Sequence, residues 1–284
     1  MTTELAAPAD RRTAQSTNWQ KLLRCVRERR LPGRAKKLIP QLLSSVSGKT
    51  VIATRNGRKL FLKFDLADSP MADLILGEIF DAEVYFPRFT AWRDFNIQRG
   101  DTVIDIGANV GLFAVCAANR SRSGSVFCFE PSRENFARLV YHKKLNGMDN
   151  ITTVNKGVSD KHETVKLYLV DKNCGAHSIV VADMGNVQNS AERKYETIEC
   201  LSLKQVFDQH QIAKCDFLKI DCEGAELRIL SALPAQYFRR IDRIALEYHA
   251  NVNVLEIAEL LDRHGFSVTI KGYPVQSGLV FAMR

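Results

Sequence analysis

The sequence predicts an α/β fold: a mostly parallel seven-stranded sheet with an antiparallel C-terminal hairpin, preceded by an N-terminal helical and hairpin extension. Three observations predict it. From residue 100 onward, short apolar runs alternate with amphipathic ones, the pattern of strands joined through helices into a parallel sheet covered on both faces. The last two apolar runs are joined only by the turn from Gly272 to Gly278, which has no room for a crossover helix, so they must run antiparallel. The chain has 284 residues, 45% hydrophobic and 25% charged, ordinary values for a globular protein with a well-buried core. Disorder throughout and a coiled coil are both excluded.

Residues 1–18 are polar and aperiodic, as in a chain tail. Trp19, Leu22, Leu23 and Val26 then form a helical stripe, which Pro32-Gly33 ends. Leu38, Ile39, Leu42, Leu43 and Val46 form a second stripe. Residues 51–54 and 59–64 are strand-like around Asn56-Gly57, a hairpin signal. Residues 71–95 read as helical, interrupted at Pro87. The regular region follows, with strands predicted over 102–106, 126–130, 151–155, 216–221, 243–248, 267–271 and 278–283. Helices are predicted over 110–120, 132–146, 202–210, 225–232 and 253–264. Ser132 caps the second of these and Gly147 ends it; Asn253 with Glu256 reads as a capping box, and Gly265 ends the last. Two further strand-like pieces, 164–170 and 195–200, flank a polar loop. The predicted division is a basic extension over 1–50, a hairpin and helix covering a cleft over 51–98, and the main domain over 99–284.

The net charge of +8 is unevenly placed. Residues 11–37 hold ten basic residues against the single acid Glu28, whereas residues 38–284 carry only +1. Such an arm suits an anionic surface, a membrane among them, while the near-neutral body argues against nucleic acid as a partner. No apolar run approaches the roughly 18 residues that span a bilayer, and no apolar signal core opens the chain. The expectation is a cytoplasmic protein that the arm could hold at a membrane, although residues 11–47 also have a transit-peptide composition. The seven cysteines never form Cys-x-x-Cys, so neither a zinc site nor a disulfide framework follows.

The chemistry concentrates at predicted strand ends. Asp105-Ile-Gly107-Ala108-Asn109-Val-Gly111 takes a buried strand through a Gly-rich turn into a helix, the place where open α/β sheets bind ligands. Gly107 permits a tight turn and Gly111 a close approach of helix to strand. Glu130 ends the next strand, 25 residues after Asp105, and suits a carboxylate accepting ribose hydroxyls. The turn lacks the Gly-x-Gly-x-x-Gly of dinucleotide folds, and no P-loop is present. An acid before the turn favours a ligand with an amine there rather than a pyrophosphate, which points to S-adenosylmethionine.

These blocks, together with Phe129-Glu130-Pro131, Asn135, Leu139, Gly157-Val-Ser-Asp160, Leu218-Lys-Ile-Asp221-Cys-Glu223-Gly-Ala-Glu226 and Glu247-Tyr-His249, resemble the FkbM family of S-adenosylmethionine-dependent methyltransferases over about residues 83–283. The resemblance implies a Rossmann-like class I methyltransferase fold that moves a methyl group to a hydroxyl of a sugar, glycolipid, polyketide or related small acceptor, with S-adenosylhomocysteine as product. It implies that Asp105, Gly107, Ala108, Asn109 and Gly111 line the methionine side, with Asp221 nearby. Glu130 would hold the ribose, and Ser159 and Asp160 would lie near the adenine. Cys222 and Gly157 depart from the family's common Val and Ala.

An acceptor hydroxyl needs a base. His249 is the expected base, at an unperturbed pKa near 6.5, with Asp221, Glu223 and Glu247 as the polar groups around it. Glu226 fits equally well as a first-turn acid, and Lys219 should pair with an acid or lie at a sheet edge. The same carboxylates and imidazole could serve a divalent metal, which is not predicted. The loop from Asn173 to Ser178 would close over the acceptor, and Glu83 and Tyr85 would act as lid residues. Two rival readings remain: an RNA methyltransferase, and an inactive cofactor-binding or membrane-docked module. Salt-sensitive RNA affinity and absence of turnover, respectively, would favour them. Oligomeric state is not legible in the sequence.

Overall fold

The alternation of apolar and amphipathic runs folds as its spacing requires. In a computed structural model of the chain, residues 84–86, 92, 95–169, 194–249, 252–272 and 277–284 are described, with backbone alone for 49–55 and 59–65. The two predicted N-terminal helices, the Asn56-Gly57 turn, most of the 71–95 helix, Glu83 and the loop from Asn173 to Ser178 lie outside these residues. Two early strands, β1 (Lys49–Arg55) and β2 (Lys59–Asp65), pair in a two-stranded sheet. All that follows belongs to one compact unit, residues 45–52 with 61–284.

Its elements in chain order are β3 (Val103–Ile106), α1 (Leu112–Ser121), β4 (Val126–Phe129), α2 (Arg133–Leu145), β5 (Ile151–Val154), β6 (Gly157–Ser159), β7 (Glu163–Tyr168), β8 (Tyr195–Ser202) and α3 (Leu203–Gln209). Then come β9 (Cys215–Ile220), α4 (Glu226–Ser231), α5 (Ala235–Phe238), β10 (Ile241–Tyr248), α6 (Val254–Arg263), β11 (Ser267–Gly272) and β12 (Gly278–Met283). The seven-stranded sheet has the order β11-β12-β10-β9-β3-β4-β5. Neighbours from β10 through β5 are parallel, whereas β12 is antiparallel to both β10 and β11. The chain winds outward from β3 to β5 and then restarts at β9 on β3's other side. That reversal opens a crevice beyond the carboxyl ends of β3 and β9, where doubly wound sheets bind ligands.

Strand periodicity sorts the core. Ile104, Ile106, Leu218, Ile220, Ile244 and Leu246 pack with Phe207, Ile229, Phe238, Ile257 and Leu261 from α3 to α6. Alternate positions turn the other way: Phe217 meets Phe86, Phe95 and Phe113. Asp105 and Lys219 share that second face and lie opposite each other in register.

Several helix ends follow the sequence. Ser132 accepts from the Asn135 N–H, and Gly147 follows α2 at φ +62°. At α6 the capping box is incomplete: Asn253 accepts from Leu255 N–H, but its amide donates to the Glu256 carboxylate, so the two side chains engage each other. A full reciprocal box, not anticipated, joins Ser202 and Gln205 at α3. The extra strand pieces are not part of the main sheet. With β6, which the strand pattern missed, they form a separate three-stranded sheet ordered β6-β8-β7.

Candidate active site

The turn after β3 is built by close backbone approach. Gly107 has φ +74°, and a Cβ there would lie 1.7 Å from the Asp221 carbonyl oxygen. The N–H groups of Gly107 and Ala108 both donate to the Phe129 carbonyl, tying the turn to the end of β4. Gly111 also has φ +88°, but a Cβ there would strike Leu139 on α2. Its role is therefore helix-to-helix contact rather than the expected helix-to-strand contact. Asn109 holds φ +50°, a region that Asn tolerates better than most residues.

Glu130 completes the turn. Its Oε2 accepts from Asn109 N–H at 2.8 Å and its Oε1 from Ser132 N–H at 2.9 Å. Burial pushes its carboxyl up to about 7, against the lowering effect of those two bonds.

A cleft of about 630 Å³ opens beside this turn. Its lining includes Gly107, Asn109 and Glu130 of this turn together with Asp221, Cys222 and Glu223 after β9. Val158, Leu167, Ile198 and Cys200 of the small three-stranded sheet supply an apolar wall. Of the residues expected at a cofactor, Gly107, Asn109, Glu130 and Asp221 line this cleft; Asp105, Ala108, Gly111, Ser159 and Asp160 are not in its described lining. Asp105 is wholly buried with Lys219 Nζ 3.3 Å from its Oδ1, so an amine placed in the cleft does not meet it directly. The Ser159 hydroxyl is buried against Asp160 and Glu163, and Asp160 pairs with Arg228 of α4. Gly157 and Val158 line the cleft where Ser159 and Asp160 were expected.

Lys219 is neither at an edge nor singly paired. It sits in a central strand, 3.3 Å from Asp105 and from Asp221, and donates to the Gly107 carbonyl at 2.9 Å. Burial alone would lower its pKa, but the two carboxylates outweigh that and keep it charged. Beyond it, the Tyr85 hydroxyl lies 3.1 Å from Asp221 Oδ2 and 3.2 Å from Glu247 Oε2, so one proton is shared between two carboxylates. Burial, followed by those charges, raises the Tyr85 pKa and keeps the phenol protonated. Burial and the Asp221 charge push Glu247 up to about 7.

His249 lies between two carboxylates. Its Nδ1 lies 3.0 Å from Glu226 Oε1 and its Nε2 3.3 Å from Glu223 Oε2. Burial works against protonation, yet the Glu226 hydrogen bond and the charges of Glu226, Glu223 and Asp221 push the imidazole up to about 10. With a carboxylate beside each ring nitrogen, the imidazole is held toward its protonated form. Glu226 is fully buried, and its Oε1 also accepts from the N–H groups of Cys222 and Gly224, so it organises the loop after β9. In that loop Glu223 holds φ +54°, a strained setting for Glu. Asp221, Glu223 and His249 can each bring one ligand atom within 4.8 Å of the others, the spacing a cation would need.

A family model described as the methyltransferase FkbM domain matches residues 105–268. The chain is similar to the 31-O-demethyl-FK506 methyltransferase FkbM of Streptomyces tacrolimicus, 26% identical over 219 residues that cover 69% of this chain and 84% of that protein. It is also similar to the hexuronic acid methyltransferase AglP of Haloferax volcanii, 22% identical over 173 residues, 61% of this chain and 66% of that one. Among solved structures, Aeropyrum pernix fibrillarin with natively bound S-adenosyl-L-methionine aligns with a TM-score of 0.44 at 12% identity, over 87% of this chain and 86% of that chain.

Proposed function

The chain belongs to the FkbM methyltransferase family, and from that premise we propose that it is an O-methyltransferase acting on a hydroxyl of a sugar, glycolipid, polyketide or related small acceptor. The observation that carries this reading is a single cleft lined both by the turn after β3 with Glu130 and by the carboxylates Asp221 and Glu223. S-adenosylmethionine, when bound, supplies an electrophilic methyl on a sulfonium centre. The chain's residues fit it. Both Glu130 oxygens already accept a backbone N–H, which fixes the carboxylate while leaving outward lone pairs for two ribose hydroxyls. The apolar wall from Val158 to Cys200 suits a purine face. Asp221 and Glu223 bring negative charge toward a cationic group.

At the acceptor end the proton falls to Glu247. His249 already engages a carboxylate at each ring nitrogen, and Asp221 is held by Lys219 and Tyr85. Glu247 takes a hydrogen bond from Tyr85, and at about 7 its carboxyl is matched to removing a hydroxyl proton near neutral pH. Tyr85 and Asp221 orient it, and His249 holds Glu223 in its strained position. The similarity to a 31-O-demethyl-FK506 methyltransferase and a hexuronic acid methyltransferase supports the acceptor class.

The test is calorimetry with S-adenosylhomocysteine, followed by turnover on a panel of hydroxylated sugars, uronic acids and polyketides. Expected are one-to-one binding, loss of that binding in Glu130→Ala, and methyl ether products. On a competent acceptor, Glu247→Gln should lower kcat by roughly a hundredfold or more with little change in cofactor affinity. Absence of binding would refute the cofactor reading; an unaffected kcat in Glu247→Gln would reject Glu247 as the base.

A further inference from the structure

An ammonium in the middle of a central strand is costly unless its donors are used. Lys219 is 3% exposed, and on the positions flanking it in β9 the side chains are Leu218 and Ile220, both fully buried. Its Nζ donates to the Gly107 carbonyl at 2.9 Å and lies 3.3 Å from both Asp105 Oδ1 and Asp221 Oδ2, two ion pairs. The rings of Tyr85 and Phe113 stand 5.4 and 5.7 Å from Nζ and complete the enclosure.

Stability alone does not account for this arrangement. A buried ion pair can usually be replaced by apolar residues of similar volume with little loss, provided both partners go. Pairing with Asp105 would suffice to neutralise the charge. Instead two of the three contacts reach the walls of the cleft: Gly107 in the turn after β3, and Asp221 at the end of β9. These walls touch through backbone, with no space for even a methyl group between Gly107 and the Asp221 carbonyl. The ammonium spans that junction.

We propose that Lys219 is a positioning residue of the methyl-transfer site, tying the Gly107 carbonyl of the cofactor turn to the Asp221 carboxylate so that the two adjoining walls of the cleft hold one geometry. This rests on the reading of the cleft as an S-adenosylmethionine site. Asp105, buried behind the turn, is the counter-charge that keeps Lys219 in place rather than a group presented to the ligand.

Lys219→Met alone strands the Asp105 charge and should melt at a markedly lower temperature. The informative variants are the compensated pairs Lys219→Met with Asp105→Asn, and Lys219→Met with Asp105→Leu, which remove the buried charges together. The readouts are melting temperature and S-adenosylhomocysteine affinity by calorimetry, neither of which requires an identified acceptor. The expected result is that a compensated pair regains most of the lost melting temperature while its affinity stays roughly tenfold or more below wild type. Lys219→Arg, which retains the cation, should bind more tightly than any apolar variant that folds. A compensated pair that recovers both stability and affinity would make Lys219 a scaffold residue and overturn the proposal. Failure of both pairs to fold would assign it to folding and overturn the proposal equally. Failure of the wild-type protein to bind would instead refute the cofactor reading, so the two can be told apart.

Discussion

Glu130 shows how a single side chain links fold, pH and ligand. Its carboxylate is buried because the turn after β3 and the start of α2 both need an acceptor, yet burial dominates and raises its pKa to about 7. An acid whose pKa rises on folding holds its proton more tightly in the native state. It therefore contributes stability below the unfolded value near 4.5, and that contribution is lost as pH climbs through about 7. The size is roughly 3 kcal/mol at full loss. The ligand-free protein should melt at a lower temperature at pH 8 than at pH 5, and the decline should be shallower in Glu130→Ala. Equal slopes would mean that Glu130 ionises normally in the folded state. Glu130 was legible in the sequence because it ends a strand at the right distance from the turn. Tyr85 could be named only by resemblance: it meets its partners Asp221 and Glu247 across 136 and 162 residues, a closeness no local pattern encodes. The setting of His249 has a similar origin. The residue was visible, but its protonation depends on Glu226 and Glu223, whose side chains converge only when β9 and β10 lie side by side.

At the scale of elements, the main sheet was readable because its strands are short and apolar and, apart from the β11–β12 turn, are separated by helices. The small sheet was only half readable. Its strands β7 and β8 alternate, but β6 is three residues long and is recognised only by its partner. That partnership leaves little room for a side chain at Gly157. Gly157 pairs in register with Cys200, and a Cβ at Gly157 would lie 2.7 Å from the Cys200 sulfur and 3.3 Å from Ile198. The space that an Ala methyl would need is filled by a buried thiol. Gly157→Ala should cost about 1–3 kcal/mol through overpacking, and Cys200→Ala in the same chain should recover most of it. Thermal melts of the two single variants and the double variant measure the coupling. Additive losses would show that the two positions do not compete for one volume. Both residues line the cleft, so S-adenosylhomocysteine affinity should follow the same cycle.

Across the whole molecule, charge and chemistry lie in different places. The total of +8 would suggest a polyanion-binding protein, but residues 1–37 account for +7 of it and the remaining chain for +1. Within that remainder the groups assigned to the cleft are mainly acidic: Glu130, Asp221, Glu223 and Glu247, with Lys219 and His249 as the facing cations. A cleft of this sign favours a cationic ligand and disfavours a phosphate backbone, because like charges in a partly buried site repel strongly. The arm has the opposite preference, and its attraction to an anionic surface should weaken as salt screens it. Deleting residues 1–37 should therefore leave S-adenosylhomocysteine affinity within about twofold of the full chain. The same deletion should abolish salt-sensitive binding to vesicles containing anionic lipid, by the loss of about 1 kcal/mol per basic residue near the surface. Calorimetry and vesicle sedimentation read the two effects separately. Loss of cofactor affinity on deletion would mean that the arm contributes to the catalytic unit; unchanged vesicle binding would mean that the body, despite its near-neutral charge, carries the anionic-surface contact.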